Sequence, residues 1–181
     1  HGGQLRKPSM KQIEPCKDQI PEPKKPSLEV PYNILITGIG GTGVLTVGSV
    51  LGMAAHIEQK GASVLNQTGL AQKFGAVSGH IRIAEQQRQI HSVRMPAGEA
   101  HLLIGADLIV SESDDSLAKL DKSFSQAIVN THLSPTAEFT RNPDALFPIE
   151  VMKTAIESEL EPGKTHFLDA TKLATHLLGD A

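Results

Sequence analysis

Tryptophan is absent from the chain, tyrosine occurs once and phenylalanine five times in 181 residues. Proteins that grip single-stranded nucleic acid stack its bases on aromatic rings, and this chain has too few rings for such a platform. Positive charge is not in excess either. Seventeen Lys and Arg stand against 20 Asp and Glu, a net of −3, whereas a duplex-binding surface needs a basic stripe. Cysteine is all but missing. Cys16 alone excludes an internal disulfide framework and any cage built from several thiolates. No apolar run approaches the ~20 residues that cross a bilayer as a helix. No charged stretch followed by an apolar one opens the sequence as a signal peptide would. The composition therefore predicts a cytoplasmic protein with neither nucleic acid nor membrane as partner. The sequence starts at His1 and stops in a helix-like stretch near Gly179, so both ends read as cut from something longer.

Proline is abundant in one place only. Residues 1–31 hold six of the eleven prolines, no aromatic residue, and six basic against four acidic side chains. Proline fixes its own φ and pushes its predecessor towards extended geometry, so 1–31 reads as an extended, proline-rich linker. Cys16, a lone thiol inside it, has no basic partner to activate it. Residues 32–181 read as the folded domain, truncated within its C-terminal helix. Tyr32–Thr37 is a short apolar run that suits a strand buried on both faces. Val44–Gln59 is apolar nearly all round and predicts a helix largely covered by neighbours. Further strands are expected at Ala62–Leu65, Ala76–Ala84, Leu108–Ser111, Ala127–Asn130 and Thr165–Asp169. Helices are expected at Asp114–Lys122, with Asp114 and Asp115 at its favourable N-terminus, at Ile149–Leu160 and from Thr171 onward. No internal repeat is evident. Strands alternating with helices predict an α/β fold, a doubly wound, mostly parallel sheet with helices on both faces.

Between the first strand and the first helix lies Gly38-Ile-Gly40-Gly41-Thr42-Gly43. A Gly-x-Gly-x-x-Gly run in that context is the Rossmann-type phosphate loop. Gly38 would allow the tight turn, Gly40 the approach of a phosphate and Gly43 the close packing of helix on strand. Unpaired N–H groups at the helix start, with the Thr42 hydroxyl as a further donor, would then hold the anion. The other half of a dinucleotide site is missing. An acid ~20 residues on, at the end of the second strand, normally holds the ribose hydroxyls. Here Val64-Leu65-Asn66-Gln67 stands instead. The alternative, that the glycines serve strand–helix packing alone, stays open.

A second cluster, Asn66 to Arg82, concentrates Gln67, Thr68, Gln72, Lys73, Ser78, His80 and Arg82 around three glycines. A donor-rich, glycine-punctuated stretch suits a binding loop. Lys73 and Arg82 could each meet a carboxylate or phosphate. Equally, Ser78, His80 and Arg82 share one face of a strand and could simply meet water or a partner chain. No third group completes a hydrolase triad with Ser78 and His80, and the remaining histidines lack ligand spacing. No catalytic residue and no metal ligand is assigned.

Four stretches in order, Ile36-Thr-Gly-Ile-Gly-Gly-Thr-Gly-Val44, Gln67-Thr-Gly-Leu-Ala-Gln-Lys73, Ser78-Gly-His-Ile-Arg82 and Gly105-Ala-Asp-Leu-Ile-Val110, resemble the gamma module of the 2-oxoacid:ferredoxin oxidoreductases. The long fused indolepyruvate ferredoxin oxidoreductases are particularly similar, and His1–Lys7 is similar to the segment that follows their ferredoxin-like cysteines. Where many pyruvate-type gamma subunits carry Arg-Gly-Gly, this chain has Lys73-Phe-Gly75. The resemblance implies one domain of an enzyme that oxidatively decarboxylates a 2-oxoacid to an acyl-coenzyme A. Thiamine diphosphate and iron–sulfur clusters would sit in other domains, which are the expected partners along with ferredoxin; a homodimer is a further option. The fragment itself would hold no cofactor firmly and would be inactive alone. It would help receive coenzyme A through Gly38, Gly40, Gly41, Thr42, Gly43, Gln67, Lys73, Ser78 and Arg82. Two other readings remain beside it: a nucleotide- or NAD(P)-binding Rossmann domain of another oxidoreductase, and a non-catalytic interaction scaffold.

Overall fold

The structure, a computed structural model, describes residues 21–69, 75–132 and 148–178. Cys16, Gln72 and Lys73 lie outside them. Six strands form one sheet: β1 (Tyr32–Ile39), β2 (Gly61–Thr68), β3 (Ala76–Ala84), β4 (Leu102–Gly105), β5 (Gln126–Asn130) and β6 (Thr165–Leu168). Their order is β2-β3-β1-β4-β5-β6. The pairs β1–β4, β4–β5 and β5–β6 are parallel. β3 is antiparallel to both neighbours, β1 and β2. The helices are α1 (Val44–Ile57), α2 (Leu108–Ser111), α3 (Asp114–Leu117), α4 (Ile149–Ser158) and α5 (Ala170–Leu178). The α/β class and mostly parallel sheet expected from the sequence are therefore found. Residues 21–31 form neither helix nor strand, although the carbonyls of Leu28 and Glu29 accept hydrogen bonds from Glu85 N and Gln89 Nε2.

Side chains alternate across a strand, and β1 accordingly feeds two cores. On one face Ile34 and Ile36 meet Val44, Val77 and Ile81 beneath α1. On the other, Leu35 joins Leu103, Leu108, Val129 and Ile156, with Met95 filling the space between them. Each such side chain, fully buried, contributes about 1.5–3 kcal/mol.

Two expectations need correction. Leu108–Ser111 is a helical turn, and the strand is Leu102–Gly105, six residues earlier. Asp107 decides it: its Oδ1 accepts from Val110 N at 3.0 Å and caps α2, the local bond that turns an apolar tetrapeptide away from a strand. The second correction concerns α1. Val44, Gly48 and Ala55, one stripe at helical spacing, are buried against the sheet. Leu45, Val47, Val50, Met53 and Ile57 are exposed, Val50 by 60 % and Ile57 by 74 %. The helix is apolar all round, yet no described part of the chain covers its outer face.

Candidate functional site

The carboxyl ends of β1, β4, β5 and β6 converge on one edge of the sheet, where open α/β sheets bind their ligands. A cleft of about 660 Å³ runs there from Gly41, Thr42 and Gly43 past Gly105 and Ala106 to Asn130, His132, Ala170 and Thr171. Asn130 ties its far wall together: Nδ2 donates to Ala106 O (3.3 Å) and Thr171 Oγ1 (3.2 Å), and Oδ1 accepts from Ala170 N (3.0 Å).

The glycine loop forms the near wall, and its residues divide their work differently from the sequence expectation. A Cβ on Gly38 would press on Thr42 Oγ1 and lie 2.9 Å from Val44 Cγ2 and 3.2 Å from Ala106 Cβ, so Gly38 supplies the close approach. Gly43, expected to do so, has no neighbour within 4 Å of such a Cβ. It is glycine because φ is +82° at the N-cap of α1. Thr42 was expected to offer its hydroxyl to a ligand. That hydroxyl is spent on Ile39 O at 2.7 Å. Gly40 N donates to Gly75 O and Thr42 N to Ile39 O. The first helical bond is Val47 N to Gly43 O, and α1 has no side-chain cap and no acid in its first turn. Among the described residues, the N–H groups of Gly41, Gly43, Val44, Leu45 and Thr46 have no partner, which leaves an open positive helix end facing the cleft.

The second cluster does not join this loop. Gln67 and Ser78 are cross-strand partners on the sheet face opposite α1. With His80 they line a pocket of about 350 Å³ against α2 and α3. Arg82 is buried and spent. Its Nε donates to Asn33 Oδ1 (2.9 Å), one terminal nitrogen to Ser92 O (3.1 Å), and the other approaches Glu99 Oε2 (3.4 Å). That guanidinium holds the loop after β3 rather than reaching for a ligand. Arg94, Lys119 and Asn130 went unnoticed in the sequence, because they come into play only when distant segments fold against the sheet. Among the described residues no three His, Cys, Asp or Glu side chains are placed to hold a metal ion, and no helix is long and apolar enough to cross a membrane.

The architecture also bears on dinucleotides. In the usual unit the second strand lies beside the first, so an acid at its end reaches the ribose. Here β3 intervenes. Two strand spacings of about 4.8 Å separate the end of β2 from β1, and Asn66 sits out of the usual ribose position.

His80 is the titratable group that its surroundings perturb most plainly. It is 2 % exposed, and its Nδ1 accepts from Met95 N at 3.2 Å. Burial, then the charges of Lys119 and Arg94, lower its pKa from 6.5 to about 4. Between those values the unfolded chain binds a proton that the folded chain does not, so stability present above pH 6.5 is lost as pH falls towards 4. From pH 6.5 to 5 the loss expected from His80 is about 2 kcal/mol. Asp107, whose pKa burial raises, works in the opposite sense. Urea midpoints at the two pH values, compared between wild type and His80→Asn, isolate the histidine. Asn retains an acceptor for Met95 N and does not titrate, so its curve should lack this contribution. Equal slopes in the two proteins would refute the assignment.

The family model described as pyruvate ferredoxin/flavodoxin oxidoreductase matches residues 33–181. Indolepyruvate oxidoreductase subunit IorB of Methanothermobacter thermautotrophicus is 30 % identical over 126 residues, 70 % of this chain and 61 % of that protein. The subunit of the same name from Thermococcus kodakarensis is 29 % identical over 145 residues, 79 % of this chain and 67 % of that one. The chain thus spans about two thirds of the length of these relatives. Among solved structures, pyruvate oxidoreductase subunit PORC from Thermotoga maritima superposes with a TM-score of 0.56 at 14 % identity, over 83 % of this chain and 68 % of that one. The gamma subunit of a keto/oxoacid ferredoxin oxidoreductase from Geobacter sulfurreducens gives 0.51 at 18 %, over 82 % and 68 %. At these identities the superpositions speak for the fold.

Proposed function

Since the chain belongs to the pyruvate ferredoxin/flavodoxin oxidoreductase family, we propose that it is the gamma-type module of a thiamine diphosphate-dependent 2-oxoacid:ferredoxin oxidoreductase. On this reading it docks on the domains that carry the cofactors and receives coenzyme A at the glycine loop. The relatives named for indolepyruvate favour an aryl 2-oxoacid as substrate of the whole enzyme.

The observation that carries the reading is α1. Its 14 residues contain no Asp, Glu, Lys or Arg and expose five large apolar side chains, a surface suited to burial in an assembly. The chain's own residues do not fit the cofactors. An iron–sulfur cluster takes four thiolates or their equivalents, and the chain has one cysteine. On this reading the redox chemistry is carried by other domains. Coenzyme A suits the cleft on different grounds: its phosphates match the unpartnered N–H groups at the start of α1, and the cleft continues from there along the strand ends.

Reconstitution tests this. Alone, the chain should not reduce a dye with any 2-oxoacid. Assembled with thiamine-binding and cluster-binding subunits, it should support turnover that depends on coenzyme A. Gly40 is not among the positive-φ residues, so Gly40→Val adds no left-handed backbone strain, and a thermal melt checks that the fold is kept. The substitution should raise the KM for coenzyme A about tenfold by crowding the phosphate away from the neighbouring Gly41 N–H. Turnover by the isolated chain, or an assembled enzyme indifferent to this chain, would sink the proposal.

A further inference from the structure

The pocket on the other side of the sheet is organised by the backbone of one core residue. Met95 has a fully buried side chain, part of the core that contains Leu35 and Leu103. Its N–H donates to His80 Nδ1 at 3.2 Å, and its carbonyl accepts from Lys119 Nζ at 3.2 Å. A core residue thereby fixes an imidazole and an ammonium side by side. A ring nitrogen that accepts a hydrogen bond carries no hydrogen, so the neutral His80 ring bears its proton on Nε2. Nε2 has no partner among the described residues, although the residue is 2 % exposed.

The same pocket holds Arg94, and Gln67, Thr68 and Ser78 on the β2–β3 ladder. Their side chains have no hydrogen-bond partner among the described residues. Donors converge, and the charge opposing them is Asp115, which is exposed. A site with a surplus of donors, two cations and a fixed neutral N–H is complementary to an oxyanion.

We propose that this pocket binds the carboxylate or phosphate oxyanion of a small ligand, with Arg94 and Lys119 supplying charge and His80 Nε2–H a directed hydrogen bond. Its volume of about 350 Å³ lies at the lower end for ligand pockets, on the order of 300–1,000 Å³. That size suits a small acid. This site lies on the opposite face of the sheet from α1 and does not depend on the coenzyme A reading.

The test is titration of the full 181-residue chain with inorganic phosphate and, separately, with pyruvate. It is followed through the His80 side-chain ¹⁵N and Nε2–H resonances, with sodium chloride at matched ionic strength as the control. Either anion should shift the His80 signals saturably. Saturation by phosphate alone identifies a phosphate ligand, saturation by pyruvate alone a carboxylate, and either supports the site. Arg94 is exposed, so Arg94→Ala should fold normally and bind at least about tenfold more weakly. Calorimetry of His80→Asn, which keeps an acceptor for Met95 N but has no Nε2–H, should show a similar loss. Shifts no larger than those caused by chloride, or an Arg94→Ala protein that binds as tightly as wild type, would overturn the proposal. Should His80→Asn melt far below wild type, Arg94→Ala alone decides.

Discussion

Gly38→Val should remove about 4 kcal/mol of stability, among the larger losses that a single substitution causes. The new side chain starts against Thr42 Oγ1, which cannot simply rotate away, because its bond to Ile39 O holds the turn. Val44 Cγ2 at 2.9 Å and Ala106 Cβ at 3.2 Å close the remaining directions. In thermal melts the shift should be roughly 8–16 °C for a domain of this size. Gly43→Val, five residues on, should cost about 1–3 kcal/mol for a different reason. There is room for the side chain, but a β-branched residue must adopt φ near +82°. Thr42→Ala in a Gly38→Ala background provides the check. Removing the nearest atom should recover part of the loss at position 38, whereas the same change beside Gly43→Val should recover nothing. Equal melting temperatures for Gly38→Val and wild type would show that the loop has more give than its contacts suggest.

The second large effect is expected only in the assembly. Val50→Glu places a carboxylate on the outer face of α1, where the native side chain is 60 % exposed. The isolated chain should melt within about 0.5 kcal/mol of wild type, as exposed substitutions do. Docked, the same carboxylate would be buried without a partner, at a cost of about 3–5 kcal/mol, which is at least a hundredfold in affinity. Sedimentation of the chain mixed with the thiamine-binding subunit proposed as its partner reads the loss. A control, Glu150→Gln, alters an exposed residue at the start of α4 and should leave association unchanged. If Val50→Glu assembles as tightly as wild type, α1 is not the docking face.

How far the sequence anticipated these features depends on what each one required. β1, β3 and α4 were legible because a buried apolar run, a strict alternation and a 3.6-residue period are local signals. Leu102–Gly105 and Leu108–Ser111 were not separable on that basis. Both are short apolar stretches, and the difference lies in one capping bond from Asp107. The pairing of β3 between β1 and β2 was hidden as well, because alternation announces a strand without naming its neighbours. For α1 the composition gave the helix but wrongly implied that neighbours would cover it on most sides. It could not tell that nothing within the described chain would cover the outer face. The glycine loop was found by its spacing, yet the spacing could not reveal that Thr42 and Gly40 are bonded within the protein. At the oxyanion pocket, His80 stood inside a cluster noted at once, but Arg94 and Lys119 reach it from segments that only the fold brings near.

The insertion of β3 has a consequence for how the protein is made. Within this domain β1 and α1 leave the ribosome before the other elements, and both are rich in apolar groups. In many α/β folds the next strand would shelter them as soon as it emerged. Here β2 cannot pair with β1, whose first neighbour in the sheet ends at Ala84. At about 5–20 residues per second, the apolar segment Tyr32–Ile57 waits a few seconds before its sheet partner appears. During that interval it is a natural client for chaperones that bind nascent chains.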